Sequence, residues 1–197
     1  MNLIEPSVKI LTYISPNCLK DIELAARTCY RSYDKITDDS AESLILNLKN
    51  RNHTAMFEFV DVTVRFNISR AIANEIVRHR LCSYAQSSTR YIVYRASIDF
   101  ILPLNISKNS TALKIFTNHC KNCEEVYHEL LGLEIKPEDA RDVLPLALST
   151  ELVMKTNLRE WIHFFELRTD RAAHPEMRRI VIPLLELFKE KIPVIFG

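Results

Sequence analysis

The sequence predicts an α+β fold in one domain spanning residues 1–197, and three observations carry that expectation. Val62, Val64, Phe66 and Ile68 alternate with Thr63, Arg65 and Asn67, the period of a strand with one buried face. From Ser110, the residues Leu113, Phe116, Cys120, Cys123, Val126, Tyr127 and Leu130 recur at the spacing of a long amphipathic helix ending at Gly132. The chain has only two glycines, at 132 and 197, so neither a Walker loop nor a Rossmann fingerprint can be present.

The elements follow in order. Residues 1–14 read as a short strand of mixed register carrying Val8, Ile10 and Tyr13. Ser15-Pro16 signals a helix start, and Leu19, Ile22, Ala25, Ala26 and Cys29 keep helical spacing behind it. Asp38, Asp39 and Ser40 offer N-caps for a second helix with Leu44, Ile45 and Leu48, and His53 to Met56 form a connection. After the strand, Ser69 caps a helix running into Arg78-His79-Arg80, which places Glu75, Arg78, His79 and Cys82 on one face. The Ser-rich stretch then forms a loop, and Tyr91 to Tyr94 a further strand. Pro137 opens a short helix containing Arg141, while Leu146 to Val153 fits either a strand or a helix. Asn157 caps a helix with Trp161, Phe164 and Phe165, and Pro175 opens the last helix, kinked or interrupted at Pro183.

Composition narrows the chemistry. The net charge is +1, so any basic site is local and a polyanion-coating protein is disfavoured. Arginine supplies 15 of the 26 basic residues, a bias towards directed anion recognition. Five cysteines, an odd number without the spacing of a small secreted domain, suggest reduced thiols in a cytoplasmic protein. No signal peptide and no membrane-spanning apolar run are expected.

Residues 78–90, Arg-His-Arg-Leu-Cys-Ser-Tyr-Ala-Gln-Ser-Ser-Thr-Arg, concentrate cations and short hydrogen-bonding groups with no acid among them. A plain basic helix end followed by a polar loop would explain the cations alone. The density of hydroxyls and the closing Arg90 point instead to a planar, phosphorylated ligand, since guanidinium forks match phosphate oxygens and stack on rings.

Arg-His-Arg, seven residues, then Ser resembles the hallmark of the flavin-dependent thymidylate synthases, and one branch's longer form matches Arg78 through Tyr91. The other branch carries Asn-Glu where this chain has Ala85-Gln86, and relatives commonly carry Gln at the position of His174. Further similarity covers most of the chain: His53 ahead of Met56-Phe57-Glu58, Ala140-Arg141-Asp142-Val143-Leu144-Pro145, Asn157-Leu158-Arg159, Leu167-Arg168 and Glu176-Met177-Arg178. The resemblance implies a mostly antiparallel sheet packed by long helices, in a homotetramer whose sites are shared between subunits. It implies FAD binding by His53, Arg78, His79, Arg80, Gln86, Asn157, Arg159 and His163. It implies a dUMP site made of Glu75, Arg78, Gln86, Ser87, Ser88, Thr89, Arg90, Arg141 and Arg168. The implied reaction is reductive methylation of dUMP to dTMP, with 5,10-methylenetetrahydrofolate as carbon donor, NADPH as reductant, and no protein nucleophile.

Arg168 has two readings: an ion pair with Glu166, Asp170 or another acid near the end of its helix, or a catalytic charge against the uracil edge. Ser88 lacks an Asp-His relay and reads as a ligand-binding hydroxyl rather than a nucleophile. Cys120 and Cys123 have metal-like spacing but share the apolar face of a helix, so core packing is expected and no metal site. A nucleic-acid module using the Arg-Ser segment, and a metal hydrolase using His53, His79 and His119, are the rivals; partners in nucleic acid or membrane are not expected.

Overall fold

The structure, a computed structural model, describes residues 1–197. Strands β1 (Asn2–Ile4) and β2 (Ser7–Ile10) precede helices α1 (Cys18–Tyr30) and α2 (Ser40–Asn50). Strand β3 (Asp61–Ser69) feeds α3 (Arg70–Ile76), followed by β4 (Ser83–Gln86), β5 (Asp99–Ile101) and the short α4 (Leu104–Ser107). The long α5 (Ser110–Gly132) and α6 (Pro137–Ala140) lead to β6 (Ser149–Asn157), and α7 (Leu158–Thr169), α8 (Pro175–Lys191) and α9 (Pro193–Phe196) complete the chain. The main sheet is antiparallel with strand order β2-β3-β6-β4, and β1 pairs with β5 in a separate two-stranded sheet. The architecture is α+β. No helix is long and apolar enough to cross a membrane.

The chain forms two compact units. The first comprises residues 1–8, 65–78 and 84–153. Its core gathers Ile98, Phe100, Cys120, Tyr127, Ala140 and Leu148, with the apolar stripe of α5 as one wall. In the small sheet β1 and β5 run parallel, with Leu3 opposite Phe100, and Asn2 Nδ2 donates to Asp99 Oδ1 at 2.9 Å. Cys120 and Cys123 are buried free thiols, as the helical spacing predicted. Burial pushes the Cys120 thiol up to about 11 and raises Cys123, so both stay protonated packing groups.

The second unit comprises residues 9–64, 79–83 and 154–197. Helix α7 packs on α8, α1 on α2, and α2 on α9. Trp161, Phe164, Phe165 and Phe188 are buried and meet ring to ring, with Trp161 centroids 5.1–5.6 Å from the other three. A buried staple joins α1 to α2: Glu23, 1% exposed, accepts from Arg27 and from Ser40 Oγ at 2.7 Å. Ser40 thus opens α2 through Glu23 rather than by capping it, and Asp39 makes no side-chain cap.

Several local expectations are corrected. The N-terminal segment forms two strands in different sheets, and Tyr13 lies outside both with 82% exposure. Helix α3 ends at Ile76, so Glu75, Arg78, His79 and Cys82 do not share a helical face. Tyr84 Oη donates to the Ile76 carbonyl at 2.7 Å, satisfying an orphan acceptor of the helix end as the chain reverses. Half of the Ser-rich loop is strand β4. Tyr91 to Tyr94 form no strand: the amides of Tyr91 and Ile92 donate to the Ser88 carbonyl in a turn. The ambiguous segment resolves as strand from Ser149, and α8 runs through Pro183 without interruption. The predicted caps at Ser69 and Asn157 hold, with Ser69 Oγ accepting from the Ile72 amide and Asn157 Oδ1 from the Glu160 amide, while the cap expected for α2 does not form.

Candidate functional site

The expected ligand-binding residues fall into two groups, one in each unit. In the second unit, α7 supplies most of them. Asn157 ends β6 and caps the helix, which places Arg159, Glu160, His163 and Arg168 on successive turns of one rigid element. His53 is set by the end of α2, where Asn52 adopts a left-handed φ of 57° and the His53 amide donates to the Leu48 carbonyl at 2.8 Å.

Two cavities of about 390 Å³ each share Arg159 as a lining residue. The first is mainly apolar, with Ala26, Leu48, Met56 and Tyr30 around His53. The second is polar, lined by Glu58, Leu81, Asn157, Arg159, Glu160 and His163. Arg159 Nη1 donates to Glu58 Oε1 at 2.6 Å, but both side chains are about half exposed. Such a pair contributes only about 0–1 kcal/mol, so a phosphate could draw Arg159 away at little cost.

His79 sits beside this second cavity's helix and is 7% exposed. Arg168 Nε–H donates to its Nε2 at 2.9 Å, which leaves the ring proton on Nδ1. Nδ1 faces Glu160 Oε1 at 3.6 Å, and the Phe164 ring meets the imidazole edge-on at 4.9 Å. Burial, then the Arg168 charge and His163, lower the His79 pKa to about 4. The carboxylate of Glu160 would favour imidazolium, but burial and the guanidinium outweigh it, so His79 is neutral at pH 7. Arg168 therefore contacts a histidine, a partner neither sequence reading named.

A pH prediction follows. An unfolded chain binds a proton at His79 near 6.5, whereas the folded chain resists it down to about 4. The folded state should therefore lose stability as pH falls through that window, by on the order of 3 kcal/mol, with none of this loss above it. Urea titrations of wild type and His79→Gln at pH 7 and pH 4.5 check it: acid should destabilise the wild type more than the variant. Equal acid sensitivity would refute the assignment.

In the first unit, the segment after β4 is held against β6. The Ser87 amide donates to the Glu151 carbonyl at 2.9 Å, and Ser87 Oγ and Gln86 Nε2 both meet Thr150 Oγ1, at 2.8 and 3.2 Å. Ser88 Oγ accepts from the Arg90 amide at 3.3 Å, and Arg141 Nη1 donates to the buried Thr89 Oγ1 at 3.2 Å. Arg90 reaches Glu138 at 3.4 Å and lies over the Tyr91 ring. Gln86 to Arg90 and Arg141 are thus brought together. Glu75 lies on α3, and Arg78, just beyond its end, has an exposed side chain; so has Arg80, in the other unit.

Two residues escaped the sequence reading. Arg70 opens α3 and donates from Nη2 to the Ser87 carbonyl at 2.9 Å, while its buried Nε has no hydrogen-bond partner. Burial lowers its pKa, and Arg141 adds to the effect. An orphaned guanidinium N–H beside a second Arg and a hydroxyl-rich turn suits a phosphate group. Glu160 is the other, a buried acid at the third position of α7. A Ser-Arg helix start and an acid in a first turn are common capping signals, so neither stands out in sequence. No three His, Cys, Asp or Glu side chains converge as metal ligands.

Comparison with known proteins identifies the family and the fold. Residues 9–194 match the family described as thymidylate synthase complementing protein. The flavin-dependent thymidylate synthase of Geobacter sulfurreducens is 32% identical over 183 residues, covering 89% of this chain and 79% of the relative. That of Nitratidesulfovibrio vulgaris is 29% identical over 213 residues, covering 98% and 86%. The crystal structure of a UMP/dUMP methylase, PolB from Streptomyces cacaoi bound with 5-Br dUMP, has the same fold: TM-score 0.86, 22% identity, covering 100% of this chain and 95% of that one. Motif, helix-borne cations and a match over nearly the whole chain coincide, and the chain belongs to the family of the flavin-dependent thymidylate synthases.

Proposed function

We propose that this chain makes dTMP by reductive methylation of dUMP, using FAD as cofactor, 5,10-methylenetetrahydrofolate as carbon donor and NADPH as reductant. The observation that carries the reading is the Arg168–His79 contact on the same helix as Asn157, Arg159 and His163, within a chain of this family. In balance, dUMP, methylenetetrahydrofolate, NADPH and a proton give dTMP, tetrahydrofolate and NADP⁺. We assign the working form as a homotetramer in the cytoplasm, with residues 1–197 as one synthase domain in each subunit.

The donor set fits a flavin dinucleotide: an apolar cavity beside His53 suits a ring system, and Arg159 with Asn157 and His163 suits phosphate or carbonyl oxygens. Arg80, Arg78 and Gln86 complete the proposed FAD contacts, while buried His79, both of whose ring nitrogens face protein groups, acts beside that site through Arg168. Reduced FAD, when bound, supplies the hydride chemistry. The dUMP phosphate is taken by Arg90, Arg141 and the hydroxyls of Ser87, Ser88 and Thr89, with Arg70 lending charge to the same turn. Glu75 and Gln86 hold the uracil and ribose. Arg168 keeps a fixed positive charge at the pyrimidine edge, which favours the electron-rich, N3-deprotonated or enolate-like ring and polarises the C5–C6 bond. Neutral His79 holds that guanidinium without competing with it for charge, since an imidazolium there would repel it. Orientation of the bound rings supplies much of the remaining rate.

Purified protein should show an oxidised-flavin spectrum and release the C5 hydrogen of dUMP only when NADPH and methylenetetrahydrofolate are both present. A colourless protein that binds polynucleotide with a steep salt dependence would replace this reading by the nucleic-acid module.

A further inference from the structure

We infer that Glu160 is a positioning residue: its carboxylate, beside Nδ1, acts with the Arg168 donor at Nε2 to hold His79 in the tautomer that Arg168 requires. The inference rests on the proposed function for its kinetic consequence, but its structural core stands on the geometry alone. Three groups are aligned in one unit: Glu160 Oε1, 3.6 Å from His79 Nδ1, and His79 Nε2, 2.9 Å from Arg168 Nε. Glu160 and His79 are each 7% exposed, so water competes little for either. A neutral imidazole carries one proton, and a buried carboxylate beside Nδ1 favours placing it there. With the proton on Nε2 instead, two N–H donors would confront each other and the guanidinium plane would swing. Phe164, edge-on at 4.9 Å, limits ring rotation, so the choice falls on the proton rather than on a flip.

Glu160 owes its place to α7. It occupies the third helical position, where its amide is capped by Asn157 Oδ1 at 2.9 Å and the helix N-terminus favours its charge. It also lines the polar cavity with Asn157, Arg159 and His163. The capped backbone thus holds Glu160 at the start of the helix, where its carboxylate meets the imidazole. This resembles the arrangement in which an acid sets the tautomer of a working histidine, with an arginine in place of a nucleophile.

The test uses the whole chain labelled with ¹⁵N-histidine, with His79→Asn for assignment. Without any ligand, wild type and Glu160→Gln should show Nδ1 protonated and Nε2 unprotonated at His79, because an amide oxygen still presents negative partial charge to Nδ1. Glu160→Met should show a mixture, and so should Glu160→Asp, which is shorter by one methylene; Glu160→Asp serves alone should the Met variant not fold. In turnover, Glu160→Met should retain FAD but lose about 10-fold to 100-fold in kcat/KM for dUMP, while Glu160→Gln stays within about threefold. An Nε2-protonated wild type, or unchanged tautomer and kinetics in both disruptive variants, overturns the inference. If the wild type shows the expected tautomer but makes no dTMP, the proposed function fails and the positioning role in the fold stands.

Discussion

Arg168→Ala is expected to lower dTMP formation by about 10²–10³-fold in kcat while the protein still folds and binds FAD. The argument is electrostatic. Charge that develops on the pyrimidine as C6 is attacked needs a fixed cation already in place, and the Nε contact to buried His79 is what fixes this one. Arg168→Lys separates charge from orientation: an ammonium keeps the charge but has no Nε–H to lock against His79, so it should recover only part of the rate. Ser88→Ala should behave differently. Its Oγ accepts from the Arg90 amide within a turn, so its loss should raise KM for dUMP more than it lowers kcat. If Arg168→Ala and Ser88→Ala lose turnover equally, with both still binding FAD and dUMP, the division between charge stabilisation and substrate binding is wrong.

The parts of this fold that were legible are those whose cause is local. Val62 to Ile68 alternate because one face of β3 is buried, and the burial pattern repeats the sequence period residue by residue. Asn157 and Ser69 announce α7 and α3 because a side-chain oxygen must meet an orphan amide there. What failed was set by distant partners. Strand β4 is written in Ser, Tyr, Ala and Gln, with no apolar alternation, and Gln86 and the following Ser87 bond to Thr150, more than sixty residues away. The end of α3 depends on Tyr84 reaching back to Ile76, which no periodicity reveals. The apolar run from Tyr91 reads as a strand, yet Tyr91 is 78% exposed and no strand pairs with it. The site followed the same rule. Its residue types were visible through the motif, but not their division between two units, nor the roles of Arg70 and Glu160, because both depend on contacts made only after folding.

Trp161→Ala should give a large loss of stability, about 3–5 kcal/mol, measured as a fall in the urea midpoint at unchanged slope. Trp161 is fully buried, and its ring lies within 5.1–5.6 Å, centroid to centroid, of Phe164, Phe165 and Phe188. Its Nε1–H also donates to the Val62 carbonyl at 3.1 Å, tying α7 to the start of β3. Truncation would open a cavity that the surrounding rings cannot all collapse into, and would orphan a buried acceptor, each a separate cost. Trp161→Phe distinguishes them, since it keeps most of the ring packing and deletes only the donor. A loss of about 1–3 kcal/mol is expected for it, less than for Ala. Because α7 also carries Arg159 and His163 on its opposite side, and Arg168 about two turns on from Trp161 on the same side, loosening this apolar packing should weaken FAD binding in proportion to stability. Should Trp161→Phe cost as much as Trp161→Ala, the hydrogen bond to Val62, and not the aromatic packing, is what anchors the helix that bears the site.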